Sequence, residues 1–157
     1  MESALKKIFS VFAAAAACFF CGCASFDKYY YFDGVAGCKW VPVYVAGTGG
    51  VEIPPDAETE FGKVYISFSE SGSGYDIKGM SGCNIFHGGV ELKGGREIEF
   101  EKMLHTNRKG KYAEYELKFL QAISKSHYMV CKGEILYFSM KKGGGEIALM
   151  RLRKEPL

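Results

Sequence analysis

The sequence predicts a mainly β (α+β) domain of seven to eight strands with one packed α-helix. Three observations predict it. Glycine is abundant at 20 residues and proline scarce at 4, the balance of short strands joined by turns. Most apolar residues downstream of residue 38 alternate with polar ones at period two, the pattern of strands with one wet face. A single stretch, 112–125, switches to helical spacing. At 157 residues the chain holds one domain, and its net charge of +2 excludes a strongly basic nucleic-acid binder. With 48% apolar and 15% aromatic residues, most of the length is not disordered.

Residues 1–22 read as a targeting segment. Lys6 and Lys7 form a short positive region, followed by an uncharged apolar run from Ile8 to Phe20. As a helix that run spans about 20 Å, short of the roughly 30 Å hydrocarbon core of a bilayer. It has the size of a signal-peptide core rather than a transmembrane anchor. The run ends in Phe20-Cys21-Gly22-Cys23, which resembles a bacterial lipobox with Cys23 as the modified residue. The resemblance implies cleavage before Cys23 and lipid on its sulfur, hence a lipid-anchored protein of the cell envelope, at the outer membrane or cell surface rather than the inner membrane. An ordinary secretory signal, cut after Gly22 or Ala24, is the alternative. Residues 23–36 then form a lipidated N-terminus and tether, and 37–157 the folded domain. The tether carries Phe26, Tyr29, Tyr30, Tyr31 and Phe32. These aromatics either sit at the membrane interface or dock on the domain as an extra strand.

Within the domain, Lys39 to Val45 reads as a strand, and Pro42 places it at an edge or bulge. Residues 47–62 form a long polar excursion. Val64 to Phe68 and Tyr75 to Gly79 alternate on either side of Ser71-Gly72-Ser73-Gly74, which is a hairpin. Val90 to Lys93 and Glu97 to Glu101 follow Gly-Gly pairs, and each has a charged, solvent-facing side. In the helix, Tyr112, Tyr115, Phe119, Leu120, Ala122 and Ile123 share an apolar face. Lys111, Glu114, Lys118, Gln121 and Lys125 lie opposite, with Glu114 and Lys118 as an i,i+4 pair. Three more strands close the chain: Tyr128 to Cys131, Ile135 to Met140 and Ile147 to Leu152.

From Trp40 to Leu152 the order of landmarks resembles the META domain, also called HslJ-like. Trp40-Val41-Pro42-Val43 leads, then Tyr65-Ile66-Ser67-Phe68. Next come Gly79-Met80-Ser81-Gly82-Cys83-Asn84 with Phe86, and then Phe100-Glu101-Lys102-Met103-Leu104-His105-Thr106. A cysteine that commonly follows the threonine in the family is missing, because Thr106 is followed by Asn107-Arg108-Lys109-Gly110. The resemblance implies a small antiparallel β-barrel or strongly curved sheet with one helix. It also implies envelope association, sometimes with stress-response or antibiotic-tolerance roles, and no established catalytic activity. The motif residues Gly79, Gly82, Cys83, Asn84, Phe86, Met103 and Thr106 are then structural, with the turn as a candidate binding edge. Gly79 and Gly82 permit a sharp backbone change, Asn84 holds the local turn, and Phe86 plugs the interior.

Beyond the signal and the lipidated residue, three thiols remain: Cys38, Cys83 and Cys131. They allow three single pairings, and export favours a disulfide. If the strands order as in the family, Cys38 with Cys131 is the expected pair. A catalytic reading would need Cys83 beside His87, with His105 or His127 orienting it. A zinc site from Cys83, His87, His105, His127 and Cys131 lacks any paired ligand spacing. The expectations are therefore no catalytic residue, no metal and no cofactor. The expected role is non-catalytic binding or structure in the envelope. Expected partners are the membrane through the anchor, and an envelope protein or small molecule, with no nucleic acid. A small-ligand-binding barrel, with its pocket near the Gly82–Phe86 turn and the 47–62 loop, is the runner-up. A Cys-dependent enzyme comes last.

Overall fold

The computed structural model describes residue 32 and residues 34–47, 58–59, 62–141 and 148–156. Residues 1–22, read as a signal, Cys23 and the aromatics before Phe32 lie outside the described residues. In chain order the elements are β1 (Lys39–Val45), β2 (Glu58–Thr59), β3 (Gly62–Lys63), β4 (Tyr65–Ser71), β5 (Gly74–Met80), β6 (Ile85–Gly94), β7 (Glu97–Phe100), β8 (Leu104–His105), α1 (Ala113–Ser124), β9 (Tyr128–Lys132), β10 (Ile135–Ser139) and β11 (Ala148–Glu155). No helix among the described residues is long and apolar enough to cross a membrane.

Eight strands close into an antiparallel barrel. The order runs β5-β4-β1-β11-β10-β9-β7-β6, and β6 pairs back onto β5. Chain neighbours are barrel neighbours almost throughout, so the barrel is an up-and-down meander, which leaves no open sheet edge. The narrowest seam joins β7 to β9 through one ladder pair, Glu97 with Tyr128. Two flanking bonds widen it, Ile98 N–H to the His127 carbonyl and Met129 N–H to the Arg96 carbonyl, both 2.9 Å. Little β8 lies outside the ring against the start of β6, and β2 pairs only with β3. That small hairpin is what the structure describes of the end of the 47–62 excursion.

The barrel is filled. Trp40, Ile66, Leu136, Met129, Phe138, Met150 and Leu152 are all completely buried. Five rings run edge to face through the interior: Phe32, Tyr75, Phe68, Phe138 and Phe100, with successive centroids 5.6 to 6.5 Å apart. Burying side chains of this size stabilises by roughly 1.5–3 kcal/mol each. This is the small β-barrel with one packed helix that the sequence predicts, with eight strands in the ring.

Strand β5 separates two differently built ends. Beyond Gly74, the segment before β1 folds over the barrel. Phe32 is 2% exposed and Val35 fully buried. The Trp40 indole N–H donates to the Val35 carbonyl at 2.8 Å, and the Tyr75 hydroxyl to the Phe32 carbonyl at 3.3 Å. Phe32 is thus docked, as a plug held in a turn rather than as the extra strand weighed for the tether. The core reaches into the stretch assigned to the tether. Beyond Met80, helix α1 covers the other end with Phe119, Ala122 and Ile123.

One boundary differs from the sequence pattern. Gly88-Gly89 does not precede a strand but lies inside β6, which starts at Ile85. The reason is close approach. A Cβ on Gly89 would lie 2.5 Å from the Glu101 carboxylate, and one on Gly88 3.1 Å from Met103. The glycines let the chain after β7 cross over β6, fastened by Glu101 N–H to the Gly89 carbonyl.

Candidate functional site

The Gly79–Phe86 motif forms the bend between β5 and β6, directly under α1. Gly82 takes φ +141°, in a region L side chains rarely adopt, and a Cβ there would face Tyr112 and Glu116 on the helix. Gly79 is required by proximity, since a Cβ would meet the Tyr65 carbonyl at 2.0 Å and the Phe86 ring at 2.9 Å. Phe86 is fully buried and packs against Phe119, centroids 5.8 Å apart. The turn itself is held by Ser81, whose N–H donates to the Asn84 carbonyl at 2.9 Å.

Glu116 is the hub. It is only 8% exposed. Its Oε2 accepts from the Ser81 hydroxyl (2.7 Å), Cys83 N–H (2.9 Å) and Asn84 N–H (2.8 Å). Its Oε1 accepts from the Asn84 side-chain amide at 2.6 Å. Burial by itself pushes this carboxyl up, but the four hydrogen bonds outweigh it and hold the group below the usual carboxylate range. Its place in the first turn of α1 adds a favourable helix-dipole interaction.

Asn84 extends the network to a third segment. Its Oδ1 accepts from the Thr106 hydroxyl at 2.7 Å and from Arg108 N–H at 2.6 Å. Its Nδ2 also reaches the Arg108 carbonyl at 3.1 Å. The Asn84 side chain therefore does not bond its own turn, as its residue type suggests. It clamps the 106–108 strand-end and α1 onto that turn, while Ser81 serves the local role. Thr106 completes the clamp with a two-way link to Ile85: its N–H donates to the Ile85 carbonyl (3.1 Å), and its Oγ1 accepts from Ile85 N–H (3.3 Å). Met103 leans on Gly88. Gly82, Cys83, Asn84 and Thr106 are thus brought together around a residue the sequence reading left unassigned, while Gly79 and Phe86 pack against each other and Met103 against Gly88. Glu116 follows Tyr112 by four and precedes Phe119 by three, so the helical spacing already put a carboxylate on the buried face.

The thiols are arranged otherwise than expected. None of the three is in a disulfide; Cys38 and Cys83 are buried and Cys131 half-buried. The Cys38–Cys131 pair is excluded by the ladder. Cys131 lies opposite Leu136, which lies opposite Leu152, which lies opposite Pro42. Three strand spacings are about 14 Å, whereas a disulfide needs Cα atoms within about 7 Å. Cys38 instead points its sulfur at the Val35 carbonyl, 3.6 Å away. Burial pushes its thiol up, against a smaller opposing effect of Lys154. Cys83 is 1% exposed while His87 is exposed on β6. His105 Nδ1 lies 2.8 Å from the Thr106 carbonyl oxygen. Among the described residues no three His, Cys, Asp or Glu side chains gather as metal ligands.

The Gly82–Phe86 end holds no mouth, because α1 closes it. A concave surface of about 460 Å³ lies along the flank of the helix, where Leu117 and Leu120 face Phe100 and Met103, with His105 and Gln121 at its edge. Leu117 is 58% exposed.

Among the described residues the chain is a closed, filled β-barrel whose signature turn is fastened to one helix by a buried carboxylate. The chain belongs to the META domain family, whose profile matches residues 34–154. Neither curated proteins nor solved structures provide a further match.

Proposed function

We propose that the protein is an envelope lipoprotein that presents its META domain as a non-catalytic binding module. The observation that carries the reading is the use made of the motif. Ser81, Asn84, Thr106 and Glu116 spend their polar atoms on one another and on backbone, and Cys83 is buried. Groups so engaged fasten segments and present no nucleophile or proton donor to solvent. The lipobox-like Phe20-Cys21-Gly22-Cys23 supports anchoring in the cell envelope, where two or three acyl chains give stable attachment. A role in envelope stress or antibiotic tolerance follows from the resemblance alone. Metabolic palmitate labelling of wild type against Cys23→Ala tests the anchor: labelling disappears in the variant, and equal labelling sinks it. In-cell crosslinking of the anchored protein then identifies what it holds.

The groove beside α1 favours one second reading, a small-ligand binder. Its volume falls in the range of small-molecule sites and its lining is mainly apolar. Leu117→Asp, at an exposed position, abolishes ligand-induced thermal shifts on that reading while leaving the fold intact.

A further inference from the structure

The near-neutral total charge conceals a strong division. On their outer face the four contiguous strands β9, β10, β11 and β1 carry Lys132, Arg151, Arg153 and Lys39 against Glu155, which lies 3.7 Å from Arg153. The remaining half of the ring, β4 to β7, carries Glu70, Asp76, Glu91, Glu97 and Glu99 against Lys78 and Lys93. Lys93 is itself engaged by Glu91 and Glu99 at 2.6 and 2.8 Å. One wall of the barrel is basic and the other acidic.

The basic wall is also aromatic and apolar in a particular way. Arg151 lies opposite Tyr44 on one side and Tyr137 on the other, with its guanidinium 4.9 Å from the Tyr44 ring. Lys132 lies over Tyr137 and Lys39 over Tyr65. Val43 and Tyr44 on β1 are exposed at 44% and 38%, and Met140 just beyond β10 at 47%. Tyrosine with lysine and arginine is the mixture favoured where protein meets lipid headgroups. The chain also enters the domain directly into β1, one of these four strands.

We propose that the β9–β10–β11–β1 wall rests on an anionic phospholipid surface and turns the acidic wall outward. The proposal deepens the anchored reading: the tether sets which surface is near, and the charged wall sets which face meets it. Basic side chains near an anionic bilayer each strengthen attachment about fivefold, an effect confined to roughly a Debye length.

Hydroxyl-radical footprinting tests it on the full protein as purified from expressing cells. The protein is placed with vesicles of phosphatidylcholine alone, or of phosphatidylcholine mixed with phosphatidylglycerol. Oxidation of Tyr44, Tyr137 and Met140 falls on the mixed vesicles, while that of Ile85 and Leu104, outside the basic wall, does not. High salt and Arg151→Gln/Arg153→Gln restore it, the pair weakening attachment by about 25-fold. Circular dichroism establishes that the variant is folded; Arg151→Lys, which keeps the charge, retains protection. Equal labelling of both groups on mixed vesicles overturns the proposal. So does protection that persists without lipid, which assigns the wall to a second copy, or that is as strong on phosphatidylcholine alone. Intact mass of the same sample separates this from the anchor. Acylated protein with no wall protection keeps the anchor and loses the face, whereas unacylated protein with protection does the reverse.

Discussion

The two ends of the barrel are closed by opposite means. At the Gly74 end Phe32 and Val35 close it with apolar bulk, helped by two hydrogen bonds to main-chain carbonyls. At the Met80 end a carboxylate, an amide and the Ser81 hydroxyl are buried together and, with Thr106 at their exposed margin, tie the β5–β6 turn, the 106–108 segment and α1 into one unit. The apolar closure is graded: losing part of it costs roughly the surface and cavity lost. The polar closure is interdependent, because deleting one member leaves the others buried without partners. The first kind of closure is independent of pH and the second is not.

The largest expected effect comes from removing the hub. Glu116→Ala removes the acceptor of four donors and lowers stability by about 4 kcal/mol, a large part of a small domain's total. Urea unfolding measures it; a loss no bigger than that of a surface substitution would falsify the interdependent closure. Phe32→Ala comes next, at about 3 kcal/mol from lost burial and the cavity left behind. Its cost stays the same from neutral to mildly acidic pH, which is the contrast to look for.

Glu116→Gln sharpens that contrast. The folded-state pKa of Glu116 is depressed, so its contribution is present above the unfolded value, about 4.3. It is lost as pH falls from there through the lower folded value. The Gln variant loses about 2 kcal/mol at neutral pH, where hydrogen bonds to charge are replaced by neutral ones. It shows a flatter acid limb than wild type in pH-dependent thermal melts. An unchanged acid limb would mean that other carboxylates govern acid unfolding. Thr106→Val removes one outer link to Asn84 and costs about 1 kcal/mol.

The smallest effect has the opposite sign. Tyr115 places its hydroxyl in a buried position with no hydrogen-bond partner among the described residues, and burial pushes its phenol well up. Tyr115→Phe is expected to stabilise by about 0.5 kcal/mol, since the ring contact with Phe119 remains. A clear loss in melting temperature would show that the hydroxyl has a partner and belongs to the polar closure.

Much of the fold was legible because local periodicity and turn chemistry agree with it. Period-two alternation placed the β4–β5 hairpin, and short apolar runs between turn residues placed β1 and β10. Helical spacing over 112–125 located α1, with Tyr112 and Lys125 as its flanking residues. Where local signals misled, a distant contact was responsible. Gly88-Gly89 reads as punctuation, but its glycines are there for the crossing of Glu101 and Met103. Asn84 reads as a turn-former, but its amide is taken by Glu116, Thr106 and Arg108.

Local sequence specified the barrel's composition: strands, helix and the Gly-x-x-Gly-Cys-Asn turn. Those features depend on residue type and short spacing. Only the tertiary structure decided that Glu116 is the hub of the motif, that Cys38 and Cys131 lie three strands apart, and that basic and acidic residues occupy opposite halves of the ring. The reason is common to all three. Strand order around a closed barrel brings together residues far apart in the chain and separates others, and no local pattern of charge or polarity records which pairs it joins.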